Sequence, residues 1–435
     1  MMDDINVIEI THHAYAVMIV FLLGYTAIVV EQFIKFNKSA TALLMAIACW
    51  TILFLEPAES VEKHLYIFTF QMFKVSQVLF FLIGALTIVE IINAHHGFSI
   101  ITQKLVIPSK RLMLWTTGFV TFFLSSVLDN LTTTVVMISL IAKIVEAREE
   151  RMILGGVIVI AANVGGAWTP IGDVATTLLW IYGQVSTLAI VRDLFLPSIL
   201  GLVTSLLWFS VQFKGEFNTK EITIAKTEPG GTTVLILGMC SLIFVPIFKV
   251  MTDLPPFMGM MLGLGVMWIV TDLMHYKYRE RDHLRVISIL PKVDVSIILF
   301  YLGVLLGINA LESAGLLKSL SESLSGYLRF PLAIPVLIGL VSSVIDNASL
   351  VAATIGMYDL KLYGMDSTFW QAIAYCTGTG GSILIVGSAA GVALMALEKV
   401  DFMWYTKKIT VPALLTYFVG IGAYMLLSPL TRMLG

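Results

Sequence analysis

Two short stretches, Ser125-Ser-Val-Leu-Asp-Asn130 and Ser342-Ser-Val-Ile-Asp-Asn347, nearly repeat each other, and each sets one carboxylate inside an apolar region. A charged side chain at bilayer depth is costly enough that Asp129 and Asp346 are candidate functional groups by default. Asp173 ends the run Asn163-Val-Gly-Gly-Ala-Trp-Thr-Pro-Ile-Gly-Asp173 and adds a third carboxylate, while Asn130, Asn163 and Asn347 add neutral oxygens. With nothing basic nearby in sequence, this oxygen set favours a small hard cation over an organic anion. The same carboxylates can hold a proton, because burial and a neighbouring carboxylate both disfavour ionisation. Proton and metal ion then compete for the same oxygens.

Hydroxyls surround these groups: Thr132, Thr133, Thr134, Thr176, Thr177, Ser349, Thr379, Ser382 and Ser388. Ser125 and Ser342 lie four residues before each tip Asp, on the same helical face, where they can orient the carboxylate. A plainer role exists for each type. Asp129, Asp346 and Asp173 can simply cap the helix that follows, and Ser or Thr can bond back to its own helix. An uncharged Ser or Asn would cap without burying a carboxylate, which favours the cation role for the tip aspartates. Glu90 and Glu312 read as proton-path or packing groups, and Asp272 and Asp294 as interfacial. The seven histidines cluster at span ends, and His95-His96 are placed to sense pH on their side.

These groups belong to a membrane protein. The chain is 58% hydrophobic and 13% charged over 435 residues, against about 45–50% and about 25% in soluble domains. A net charge of −2 argues against nucleic acid as a partner, since such binders carry concentrated basic patches. Cys49, Cys240 and Cys376 all sit in apolar runs and lack the spacing of a disulfide framework or metal cluster. Residues Met1 to Thr11 are acidic and lack the basic flank of a signal peptide. There is no P-loop, H-E-x-x-H or G-x-S-x-G, so neither an ATP-driven pump nor a hydrolase is supported.

Full spans are expected at about Ala14–Phe33, Ala40–Leu55 (short), Val75–Asn93, Leu194–Phe213, Thr233–Val250, Phe257–His275, Val295–Leu311 and Thr410–Leu430. Between them lie two segments, about 112–146 and 331–358, whose apolar arms are too short to span. They read as re-entrant helical hairpins around Asp129-Asn130 and Asp346-Asn347. Two more, about 153–180 and 368–398, read as helices broken by glycine, the first also by Pro170. The step from Gly166 to Gly172 recurs from Gly381 to Gly387. Paired, interrupted segments of this kind point to a transporter's binding site.

The halves align at an offset of about 217 residues, with six of sixteen positions identical from Ser125 and from Ser342. The expected fold is therefore all-α and polytopic, with two repeats, 1–213 and 231–435, joined by a linker at 214–230. Each repeat holds three spans, a hairpin, a broken helix and a final span. Five crossings per repeat is odd, so the second repeat runs inverted. Lys and Arg number 19 on one side and 8 on the other, 27 in all, which makes the richer side cytoplasmic and turns both termini outward. The expected location is a bacterial inner membrane.

At Ser125–Thr134, Asn163–Thr177, Ser342–Ser349 and Thr377–Ser388 the chain resembles the NhaD-type sodium/proton antiporters of the ion transporter superfamily. The resemblance covers essentially the whole membrane region. It implies two inverted repeats, commonly a homodimer with scaffold and transport regions, no cofactor, and exchange of Na+, with Li+, for H+ at Asp129, Asp346 and Asp173. Dicarboxylate carriers of that superfamily share the layout but carry Ser-Asn-Thr at the tips. The Asp-Asn pairs here favour the antiporter branch. A Na+-coupled carboxylate or oxyanion carrier is the alternative, and a channel fits the broken helices poorly. The second broken helix lacks an Asp and a Pro, so the two halves need not contribute equally.

Overall fold

The computed structural model describes residues 12–31, 36–56, 61–102, 107–217, 228–327 and 332–433. The expectations placed on the segment before His12, on most of the linker, on Lys104 and on Pro331 lie outside the described residues. Among the described residues there is no strand, only one isolated bridge between Ser109 and Glu216. The α-helices longer than four residues are, in chain order, α1 (His12–Val29), α2 (Lys38–Phe54), α3 (Val61–Ala94), α4 (Lys110–Ser125), α5 (Asn130–Ile144), α6 (Arg148–Gly166) and α7 (Val174–Ile181). They continue as α8 (Thr187–Ser210), α9 (Gly231–Thr252), α10 (Pro256–His275), α11 (Val295–Ser313), α12 (Leu316–Tyr327), α13 (Ala333–Val341) and α14 (Asn347–Met357). The last are α15 (Thr368–Gly380), α16 (Ala389–Glu398), α17 (Phe402–Lys408) and α18 (Thr410–Met433).

Among the described residues, seven helices, α1, α3, α8, α9, α10, α11 and α18, are long and apolar enough to cross a membrane. The chain is a polytopic membrane protein. The short second span is α2, of 17 residues. The third begins at Val61 rather than Val75 and reaches 34 residues, because Glu62, Lys63, His64 and Lys74 end an apolar run without ending a helix. No Gly or Pro interrupts that stretch. α12 has no counterpart among the expected elements: Lys318, Ser319, Ser321 and Glu322 alternate with leucines in LLKSLSESLSGY, so it has one apolar stripe and no spanning run. Asp294 caps α11 by accepting from Ser296 N at 2.9 Å.

The chain divides into two compact units. The first comprises Met1–Leu79, Asp294–Ile334 and Ala352–Tyr363. Here α2 packs along both α1 and α11. Gly303 lets α11 meet the backbone of α2, since a Cβ there would lie 2.5 Å from the carbonyl carbon of Ala42. Trp50 Nε1 donates to Leu306 O at 2.9 Å and Ser39 Oγ to Ser296 O at 2.6 Å, fixing the same pair of helices at two heights.

The second unit comprises Phe80–Val293, Pro335–Val351 and Gly364–Gly435. Its centre is formed by the two most enclosed helices. Every residue from Leu154 to Gly166 of α6 is buried, and so is every residue from Phe369 to Gly380 of α15. Such helices can be apolar or small on all sides. Around them pack α4, α5, α8, α16 and α18. Buried tyrosines tie these elements through backbone acceptors: Tyr375 donates to Thr416 O at 3.0 Å, and Tyr417 to Val336 O at 2.8 Å. Arg151, in the first turn of α6, reaches both carboxylate oxygens of Glu398 at the end of α16, at 3.0 and 3.1 Å.

Candidate functional site

Four helix interruptions in the second unit meet around a set of polar side chains. α4 stops at Ser125 and α5 starts at Asn130; α13 stops at Val341 and α14 starts at Asn347. α6 stops at Gly166 and α7 starts at Val174; α15 stops at Gly380 and α16 starts at Ala389. Each interruption frees backbone carbonyls at the end of one helix and N–H groups at the start of the next.

Glycine sets how closely the interruptions approach. A Cβ on Gly172 would lie 2.5 Å from Ser125 O, and one on Gly387 would lie 2.5 Å from Ser343 O. One helical turn or two earlier, Gly165 abuts Phe122 O and Gly380 abuts Gly339 O. The serines make matching bonds. Ser125 Oγ donates to Ala162 O at 2.7 Å and Ser342 Oγ to Thr377 O at 2.8 Å. These bonds bind each tip to its neighbouring broken helix, in place of the expected contact with the tip carboxylate.

The three aspartates each cap a helix and keep further acceptor capacity. Asp129 accepts from Thr132 N at 2.9 Å and Thr132 Oγ1 at 2.5 Å. Asp346 accepts from Ser349 N at 3.2 Å and Ser349 Oγ at 3.1 Å. Both are half-buried. Asp173 is 1% exposed and accepts from Ala175 N at 3.3 Å through Oδ1. Its Oδ2 accepts from Asn347 Nδ2 at 2.6 Å. A carboxylate has about four lone-pair sites, so capping does not exhaust any of them. The charges acting on Asp173 are those of Asp346 and Asp129.

Amides and hydroxyls link the segments. Asn130 Nδ2 donates to Asn163 Oδ1 at 3.0 Å, and Asn163 Nδ2 to Ser388 Oγ at 2.9 Å. On the other side, Gly378 faces Asp173, with a Cβ there falling 3.6 Å from Oδ2. Among the described residues, no three His, Cys, Asp or Glu side chains come close enough together to hold a metal ion.

The remaining expected hydroxyls divide into two groups. Thr176 and Thr177 donate to Asp173 O at 2.8 and 2.9 Å, Thr379 to Tyr375 O at 2.6 Å, and Ser382 to Thr379 O at 2.6 Å. These are bonds within the broken helices, and they leave oxygen lone pairs available. Thr133 and Thr134, by contrast, are fully buried with unpartnered hydroxyls. Three residues outside the expected set hold the interruptions in shape: Thr169 donates to Ser126 O at 2.6 Å, Tyr405 to Ser382 O at 2.8 Å, and Thr410 to Ile383 O at 2.7 Å. Thr169 lies inside the Gly/Pro run and could have been read there. Tyr405 and Thr410 carry no local signal. Glu90 accepts from Asn93 Nδ2 at 3.4 Å and Glu312 from Gln71 Nε2 at 3.3 Å.

Apolar spans, interrupted helices and enclosed carboxylates define a polytopic helical protein of the transporter class rather than an enzyme. Residues 25–360 match the family described as citrate transporter. The chain is 49% identical over 416 residues to sodium/proton antiporter 1 of Arabidopsis thaliana, covering 94% of this chain and 72% of that one. It is 46% identical to sodium/proton antiporter 2 of the same plant, over 94% and 98%. It is 28% identical to the Na+/H+ antiporter NhaD of Vibrio cholerae, over 98% and 94%. The chain belongs to this transporter family, among its NhaD-type sodium/proton antiporters.

Proposed function

We propose that this protein exchanges Na+, and also Li+, for H+ across its membrane, with Asp129, Asp173 and Asp346 as the shared carriers of charge. The observation that carries the reading is Asp173: a fully buried carboxylate, bonded to Asn347 and acted on by the charges of Asp346 and Asp129. Three neighbouring carboxylates repel one another unless a cation or proton intervenes. Asn130, Asn163, Asn347, Ser388 and the freed carbonyls are hard oxygen donors suited to an alkali cation. A site loaded with Na+ has no need of the proton, and a protonated site has lost the charge that attracts Na+. Loading is thus mutually exclusive, and alternating exposure of such a site yields exchange.

Two inverted repeats fit the paired contacts, because Ser125 and Ser342, and likewise Gly172 and Gly387, play the same parts 217 and 215 residues apart. The hairpin of Asp129 then enters from the cytoplasm and that of Asp346 from outside, with both termini outward and a homodimer as the assembly. The second reading, a Na+-coupled carboxylate carrier, is favoured by the description of the matching family as citrate transporter. It predicts a basic anion pocket, whereas the groups around Asp173 are carboxylates, amides and small residues.

Liposomes holding the purified protein and an imposed pH gradient separate the two. Collapse of the gradient on adding NaCl or LiCl alone is the expected result. A strict requirement for citrate or another organic anion would establish the carrier reading instead.

A further inference from the structure

The second unit holds another titratable pair, which exchange at the aspartates does not use. His95 follows α3 and His275 ends α10; they are 0% and 1% exposed, with their Nε2 atoms 3.0 Å apart. Their tautomers follow by elimination. His95 Nδ1 lies 2.8 Å from Ile91 O, and a carbonyl only accepts, so Nδ1 carries the hydrogen. Neutral His95 therefore presents a lone pair at Nε2, and the N–H between the rings belongs to His275. The one lone pair left is at His275 Nδ1, which is buried and has no hydrogen-bond partner. His96, the neighbour in sequence, is exposed.

The pair fastens a junction of three helices. His95 O accepts from Glu228 N at 3.3 Å just before α9, and Gly230, at φ +84, abuts Met274 of α10. The charged groups facing the pair are mixed. Glu228 and Asp272 favour a positive ring, while His96, Arg281 and His283 oppose one. Asp272 is already engaged by Arg285 at 3.6 Å, and Arg285 also lies 3.8 Å from Asp282. Burial keeps the His95 ring neutral to lower pH than a free imidazole.

We propose that His95 and His275 form a proton-binding site separate from the aspartates, whose occupation releases the junction of α3, α9 and α10. A proton on His275 Nδ1 creates a buried, charged N–H with no acceptor in the packed arrangement. A proton on His95 Nε2 instead sets two N–H groups against each other. Either way the closed junction loses its bond or gains an unpaired donor, and opening towards water or Asp272 relieves it.

Hydrogen–deuterium exchange of the full chain in lipid nanodiscs tests this without any transport assay. Between about pH 8 and about pH 4.5, a span that reaches below the usual imidazole range because burial keeps His95 neutral to lower pH, amides 91–98 and 272–278 are expected to accelerate about tenfold beyond the intrinsic pH effect. H275Q, which can still donate to His95 but does not titrate, is expected to lose the acceleration, as is H95Q. D129N is expected to retain it, which keeps this site distinct from the exchange reading. A wild-type protein without acceleration, or one whose acceleration survives in both histidine variants, would overturn the proposal.

Discussion

Asn347 is the side chain on which two segments depend at the site. Its Nδ2 bonds Asp173 at 2.6 Å while its Oδ1 accepts from Ala348 N at 2.8 Å, so the amide has a fixed sense. A hydrogen bond to a charged group contributes about 1.5–3 kcal/mol, so N347A should weaken Na+ dependence of exchange about ten- to hundredfold. Initial rates against NaCl concentration in proteoliposomes would show it as a raised KM. D129N and D346N keep an oxygen for the cap and remove the charge. Both are expected to insert normally and to lose exchange, and if both exchanged at wild-type rate the carboxylates would not be the carriers. The tip residues were legible because the motif is written twice. The bond from Asn347 to Asp173 was not, since it joins positions 174 residues apart. The same is true of His95 and His275, where the sequence pointed to His95 with its neighbour His96 but not to His275.

Each broken helix sets a glycine against a carbonyl of a hairpin tip, and that contact is where an element can be tested. G172A or G387A would place a methyl 2.5 Å from Ser125 O or Ser343 O, an overpacking that costs about 1–3 kcal/mol. Lower thermal stability and lost exchange are expected for both. G265A, with nothing within 4 Å of its added methyl, is expected to match the wild type and serves as the control. All four interrupted segments could be read from composition, because glycine, proline and a lone Asp break an apolar run visibly. Helices that remain regular through polar residues were harder to read. Glu62, Lys63 and Lys74 hid the first turns of α3, and the serines and Lys318 hid α12. Apolar pattern marks what lipid or core can cover; it does not mark where a helix begins.

Across the molecule, Arg151 and Glu398 join segments 247 residues apart. With 21% and 7% of their side-chain surface exposed, the pair is partly screened, so E398Q should cost about 1–3 kcal/mol, below the range of a fully buried pair. Thermal denaturation in detergent would report it, and the exchanged pair R151E with E398R is expected to recover part of the loss. Polytopic character was legible at this scale from composition. The division into two compact units was not, because each gathers segments from distant parts of the chain.

The 34 residues of α3 make a rod of about 51 Å, set in a hydrocarbon slab of about 30 Å. Its two ends differ: from Val78 to Val89 only Thr87 is polar, while the turns before it carry Lys74, His64, Lys63 and Glu62. Long basic side chains can reach back to the headgroups as a bilayer thickens, whereas an apolar stretch left bare by a thin bilayer must tilt the helix or deform the lipid around it. The protein should therefore gauge lipid length asymmetrically. Exchange rates measured across phosphatidylcholines of increasing acyl length are expected to fall steeply on the short side and gently on the long side.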